Sequence, residues 1–362
     1  MTVTEITAVL EEIAPPALAE SWDNVGLLVG DAVNTVRRCL LTIDYTSAVA
    51  EEARSAGCEF VVSYHPPIFD GLKRLQASSL IFQAIRDGVA IYSPHTALDV
   101  ADGGTNDLLA EILGLQEIRP LRLMETKGRE YKLVTFVPEE HLEKVAQALF
   151  NAGAGGIGKY SQCSFRSSGE GTFFGDETSN PAVGEKGELT RTPEIRFETI
   201  LPKQQLPAVL AALYRAHPYE EPALDIIQLV TPPAKVGHGR IGTLPRIERD
   251  EVFARIKKGL SQSHLLIVGP TSGIVSKAAC LAGAGRQHLG DAIAQNAELY
   301  LTGELPHHDA LAAVRAGLTV VATLHSNSER AILPRLAERL RQKLPTVEFR
   351  ISQHDRDPFA IL

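Results

Sequence analysis

The chain has 362 residues, 44% hydrophobic and 22% charged, which is enough for two domains and a sizeable apolar core. A formal net charge of −8 argues against broad electrostatic binding to nucleic acid or anionic membrane, so neither is an expected partner. No apolar run is long enough to span a bilayer, the first residues lack the pattern of a signal peptide, and Cys39, Cys58, Cys163 and Cys280 form no CxxC pair; a reduced, cytoplasmic protein is expected.

Residues 4–20 carry Ile6, Val9, Leu10 and Ile13 at helical spacing, interrupted by Pro15-Pro16. Ser21-Trp22-Asp23-Asn24-Val25-Gly26 is turn chemistry leading into the short strand Leu27-Leu28-Val29. Strands are predicted at 38–44, 60–63 and 89–92, with helices at 47–55 and about 78–87 between them. This β-α-β-α-β rhythm implies a parallel or mixed sheet covered by helices. Asp102-Gly103-Gly104-Thr105 turns tightly into a helix over 108–113, where an anion could sit, although neither a GxGxxG fingerprint nor a Walker lysine is present.

From about Lys127 the pattern changes. Strands are expected at 131–138, 163–174, 194–201 and 223–230, with helices at 139–152 and 204–216. That order, β-α-β-β-α-β, is the ferredoxin-like unit, and Pro232-Pro233 marks its exit. The earlier rhythm then returns, with a helix near 252–260, strands at 265–268 and 274–281 separated by the turn Pro270-Thr271-Ser272-Gly273, a strand at 299–302, a helix at 309–316, the strand Val320-Val321-Ala322 and a helix over 328–343. Residues 128–234 are therefore expected to be an insertion into an α/β body made of residues 1–127 and 235–362.

Three predicted strands end on histidine. Phe60-Val61-Val62 leads to His65, and Pro66-Pro67 forbids the strand from continuing. Val89-Ala90-Ile91 leads to His95, four residues before Asp99, and Val320-Val321-Ala322 leads to His325, four residues before Glu329. Strand ends are where open α/β sheets place ligands. Two imidazoles and two carboxylates, His65, His325, Asp99 and Glu329, suit a divalent ion such as Zn²⁺, Mn²⁺ or Fe²⁺. Ser326 and Glu329 also have capping-box spacing, so a helix cap is the competing reading of Glu329. His95 is a ligand or a hydrogen-bonding support for Asp99. Glu304, His307 and His308 follow another strand; they line the same cleft or form a solvated helix start, the reading preferred here. The loop His217-Pro218-Tyr219-Glu220-Glu221-Pro222 reads as a rigid connector.

In combination, Ser21-Trp22-Asp23-Asn24-Val25-Gly26-Leu27, Tyr64-His65-Pro66, His95-Thr96-Ala97-Leu98-Asp99, Thr302-Gly303-Glu304-Leu305 and His325-Ser326-Asn327-Ser328-Glu329 resemble the Nif-three-like family of dinuclear-metal-centre proteins, homologues of the second type of GTP cyclohydrolase I. The insert, with Gly158-Lys159-Tyr160-Ser161, resembles the PII-like or CutA-like domain of longer members. The resemblance implies a body of two related α/β lobes, two divalent ions per chain on His65, Asp99, His325 and Glu329, and a toroidal homohexamer. It also implies a metal-dependent hydrolase acting on a small nucleotide, with ring opening of GTP as the family's proposed reaction. A non-catalytic metal-binding regulator that senses or docks through the insert is the alternative. The sequence departs at Tyr64, where many members carry a second histidine; a phenol with an ordinary pKa of about 10 is a poorer ligand, which puts the second ion in question.

Overall fold

A computed structural model describes residues 1–124, 130–179, 181–229 and 236–361. The chain divides into two compact units, Met1–Met124 with Lys235–Leu362, and Glu125–Ala234. The predicted boundaries at 127/128 and 234/235 fall outside the described residues.

The first unit contains two mixed sheets. One has the strand order Gly26–Val29, Ala90–Ser93, Phe60–Ser63, Arg38–Thr42, Glu348–Ile351. Its last four members are mutually parallel, and Gly26–Val29 runs antiparallel on the edge. Successive residues of a strand point to opposite faces. Phe60 and Val62 therefore join a core under the helices Val3–Ile13 and Ile332–Lys343, while Val61 joins another under Ser47–Ser55 and Leu80–Arg86. Burial on both faces is why the segment Phe60-Val61-Val62 reads as a continuous apolar run rather than an alternating one.

The second sheet has the order Leu266–Val268, Thr319–Ala322, Leu299–Glu304, Ile274–Ala284, Gly237–Glu248, Gln116–Leu123. The three strands Ile274–Ala284, Leu299–Glu304 and Thr319–Ala322 are parallel, and the others antiparallel. Leu266–Val268 thus pairs with Thr319–Ala322 and not with Ile274–Ala284, the strand across the predicted turn. Helices Thr105–Leu113 and Arg249–Gly259 cover one face, Leu289–Ala294 and His307–Arg315 the other.

Two polar clamps position the site-bearing segments. Arg240 is buried and pairs with Asp107, while its Nη1 donates to the carbonyls of Gly237 and Gly239 at 2.9 Å. It fixes the helix that follows Asp99 to the strand that carries His238. Asp107 also accepts from the Gly103 amide at 2.7 Å, so its own carboxylate fills the turn suggested as an anion site. Asp355 is the second clamp: its Oδ2 accepts from the Ile43 amide at 2.8 Å and pairs with Arg330.

The second unit forms one antiparallel sheet in the order Ser164–Phe174, Leu189–Pro202, Glu130–Val137, Leu224–Gln228. Helices Leu142–Asn151 and Leu206–Ala216 supply its core, through Val145, Leu149, Val209 and Leu213. His217 is buried here; its Nε2 donates to the Phe136 carbonyl at 3.0 Å and its Nδ1 accepts from the Tyr219 amide at 3.1 Å, a rigid connector as expected.

Removing one partner of a buried ion pair leaves the other charge unpaired. Asp355→Ala is therefore expected to lower stability by about 3 kcal/mol, the lower end of that effect because Arg330 keeps some solvent contact. Chemical denaturation checks it, and a loss under about 0.5 kcal/mol would show that the clamp carries no stability.

Candidate metal centre

The strand Phe60–Ser63 delivers Tyr64 and His65 to the carboxyl end of the first sheet, and Thr319–Ala322 delivers His325 to the same end of the second. The turn into His325 is made by Leu324 at φ 70°, a left-handed conformation rare for a branched side chain. Such strain persists where surrounding structure holds it, and it gathers at functional sites. His325 then opens a short helix, His325–Arg330, which puts Glu329 one turn on and directly behind it.

His65, His325 and Glu329 bring one ligand atom each within 4.8 Å of one another. Glu329 is only 2% exposed and lies between the two imidazoles. Its Oε2 is 3.2 Å from Nε2 of His65, and its Oε1 is 3.4 Å from Nε2 of His325. The opposite nitrogens are both committed. Nδ1 of His65 donates to Asp44 at 2.9 Å, and Nδ1 of His325 donates to Glu304 at 2.9 Å. A neutral imidazole that donates from Nδ1 presents a lone pair at Nε2. Close as they are, Nε2 of His65 and Oε2 of Glu329 are not aligned to hydrogen-bond, and both are buried without a partner. Lone pairs facing each other out of water repel unless a proton or a cation lies between them. The residues fit a divalent cation on that ground: two imidazole nitrogens and a carboxylate converge, and each imidazole is oriented by an outer carboxylate. Gly283 keeps the space open, since a Cβ there would stand 2.8 Å from Glu329 Oε1 and 3.2 Å from His325 Nε2.

Electrostatics follow from the same arrangement. Burial opposes charge on His65, but Asp44 and Glu329 outweigh it and push its pKa up to about 10. Burial, then the Glu329 carboxylate, raises Asp99 to about 6. Burial also moves the Tyr64 phenol well above its ordinary range, reinforced by Asp99 and Glu329, so Tyr64 stays a neutral donor. Its hydroxyl donates to Asp99 and lies 2.9 Å from the Thr105 hydroxyl.

Asp99 lines the same cavity, of about 120 Å³, as Trp22, His95, His325 and Glu329, but its carboxylate does not join the group of atoms within 4.8 Å. His95 donates from Nδ1 to Asp23 at 2.7 Å, and its ring centre is 5.3 Å from that of His65. Glu304 acts through His325. His307 and His308 do not line the cavity: both are exposed, ring against ring, at the start of the helix His307–Arg315. That corrects the cleft assignment of those two residues, and the solvated helix start describes them. The capping-box reading of Ser326 and Glu329 also fails. With Ser326 as the cap the helix would start at residue 327; it starts two residues earlier, at His325, without a side-chain cap, and Ser326 donates to Asp357 instead.

Asp44, Asp23 and Thr105 were not singled out from the sequence. Asp44 lies two residues past the strand Arg38–Thr42, the neighbour of the strand that leads to His65, and a carboxylate just after an adjacent strand was the available signal. Asp23 reaches the site from the loop before the strand Gly26–Val29 and stood inside a segment that carries the family resemblance, whereas Thr105, at the start of the helix Thr105–Leu113, carried no signal.

Comparison with known proteins agrees along the whole chain. The sequence profile described as Duf34/NIF3 (NGG1p interacting factor 3) matches residues 1–358. A Bacillus subtilis protein named GTP cyclohydrolase 1 type 2 homolog is 37% identical over 366 residues, covering 99% of this chain and 98% of that protein. A Mycobacterium tuberculosis protein of the same name is 36% identical over 347 residues, covering 94% and 91%. Among solved structures, a Bacillus cereus protein related to NIF3 is 35% identical with a TM-score of 0.71, over 100% of this chain and 99% of that one. The Staphylococcus aureus protein SA1388 is 26% identical with a TM-score of 0.81, again over 100% and 99%. Sequence and mixed α/β fold together establish that this chain belongs to the Duf34/NIF3 family.

Proposed function

We propose that the chain is a metal-dependent hydrolase that holds Zn²⁺, Mn²⁺ or Fe²⁺ on His65, His325 and Glu329 and acts on a small nucleotide-like substrate. The observation that carries this is the buried Glu329 carboxylate facing two imidazole nitrogens whose other ring nitrogens are already tied to carboxylates. A divalent ion bound there would acidify a coordinated water and polarise a substrate oxygen or carbonyl. Asp44 and Glu304 hold the two rings in the tautomer that presents Nε2. Asp99, kept in place by Tyr64 and Thr105 and raised to about 6, can take up or release a proton near neutral pH at the cavity wall. A second ion beside Asp99 belongs to the same reading, with Tyr64 as its competitor for the carboxylate. Ring opening of GTP comes from the relatives' shared name, GTP cyclohydrolase 1 type 2 homolog.

We read the first unit as two related lobes, because each sheet has three successive parallel strands and an antiparallel edge strand that precedes them in the chain and pairs with the third. His95 and His325 then occupy matching places after the third strand. We read the second unit as ferredoxin-like, of the PII or CutA kind, on its β-α-β-β-α-β order and its central pair Leu189–Pro202 and Glu130–Val137. Homohexamer assembly is carried over from the resemblance alone. Among the described residues no helix is long and apolar enough to cross a membrane.

Glu329→Gln keeps the shape and removes the charge. The variant should stay folded by circular dichroism, lose most bound metal by elemental analysis, and show no turnover against a nucleotide panel that includes GTP. Full metal with unchanged turnover would overturn the assignment. Metal loss without turnover in the loaded wild type would favour a non-catalytic metal-binding regulator.

Metal uptake should also be linked to protons. His65 carries a proton below its pKa of about 10, and a cation on Nε2 must displace it. Affinity should therefore rise as pH increases from 6 to 9, with about one proton released per ion, read by calorimetry in buffers of different ionisation heat. No proton release would contradict the assignment of His65 as a ligand.

A further inference from the structure

The cavity wall carries a second pair of imidazoles that the proposed chemistry does not use. His238, on the strand Gly237–Glu248, and His288, at the end of the single turn Gly285–His288, come together from distant parts of the sequence. Their rings lie nearly parallel, 12° apart with centres separated by 5.3 Å. Both side chains are largely buried, at 16% and 12% exposure. Each has a carboxylate at Nδ1: Asp291 accepts from His288 at 2.9 Å, and Glu20 stands 3.5 Å from His238. Among the described residues no hydrogen bond uses Nε2 of either ring.

For His288 the pattern repeats that of His65 with Asp44, His325 with Glu304 and His95 with Asp23; for His238 the carboxylate faces Nδ1 from 3.5 Å. A carboxylate at Nδ1 fixes the ring and raises the basicity of Nε2, the arrangement that metal-bound histidines have. Packing alone would not need it, since two apolar side chains would fill the same wall without burying polar nitrogens. Neither residue belongs to the group of ligand atoms around Glu329.

We propose that His238 and His288 form a second, outer cation site in the cavity, selective for a divalent ion with affinity for imidazole, such as Cu²⁺, Ni²⁺ or Zn²⁺. Two protein nitrogens hold the ion, and water or an oxygen of a molecule in the cavity completes its shell. The site stands independently of the hydrolase reading.

The test is made in full-length His325→Ala/Glu329→Gln protein, in which the inner group is removed, titrated with Cu²⁺. One equivalent should bind, with an electron paramagnetic resonance spectrum showing coupling to two imidazole nitrogens. Adding His238→Ala or His288→Ala should abolish that equivalent and its nitrogen coupling, with circular dichroism confirming the fold. An equivalent that survives both changes, or no equivalent at all, overturns the proposal. Should the inner-site variants fail to fold, wild-type protein must bind one Cu²⁺ equivalent more than His238→Ala/His288→Ala protein in the same titration. Equal stoichiometry in the two proteins overturns it equally.

Discussion

The Glu329 carboxylate, buried between two imidazoles, is the constraint on which the rest of the site depends. A carboxylate removed from water must be paired, and a neutral imidazole that donates its Nδ1 hydrogen to Asp44 or Glu304 turns a lone pair, not a hydrogen, toward it. The arrangement is stable only with positive charge in its centre, as a proton on His65 or as a cation. The same fact accounts for the high pKa of His65 and for part of the elevation of Asp99.

The fold meets that constraint by bringing two sheets to one cleft. Each sheet is buried on both faces, so its parallel strands are rigid and end at defined points. The polar side chains sit just past those ends, in turns that need unusual backbone at Leu324 and His95. Asp355 reinforces the link: it ties the Ile43 amide, next to Asp44, to Arg330, next to Glu329. The outer carboxylate on one histidine and the inner carboxylate facing both are thus held by a single buried side chain.

Much of this was legible in the sequence because apolar strands ending on histidine are local signals. His65, His325 and Glu329 could be named from a strand, a breaker and an i,i+4 spacing. Glu304, the partner of His325, was among the candidates; Asp44, Asp23 and Thr105 were not, because they are ordinary polar residues whose roles exist only once separate segments meet. The strands Gln116–Leu123 and Glu348–Ile351 escaped for a related reason. Both lie at sheet edges, are short or carry Pro120 and charged residues, and read as loop until their partners are known. Ser326 and Glu329 show the opposite case, a local motif whose competing reading as a helix cap is overridden by tertiary geometry. Starting the helix at His325 turns Glu329 inward and makes it the most buried carboxylate among the candidate ligands.

The central claim is that this carboxylate and the two imidazoles share one cation. Crystals of Zn²⁺-loaded protein, measured on both sides of the zinc absorption edge, test it directly. The account predicts an anomalous peak roughly 2.0–2.2 Å from Nε2 of His65, Nε2 of His325 and a Glu329 oxygen. Zinc located only elsewhere, with His65 and Glu329 still facing each other across an empty gap, would contradict it.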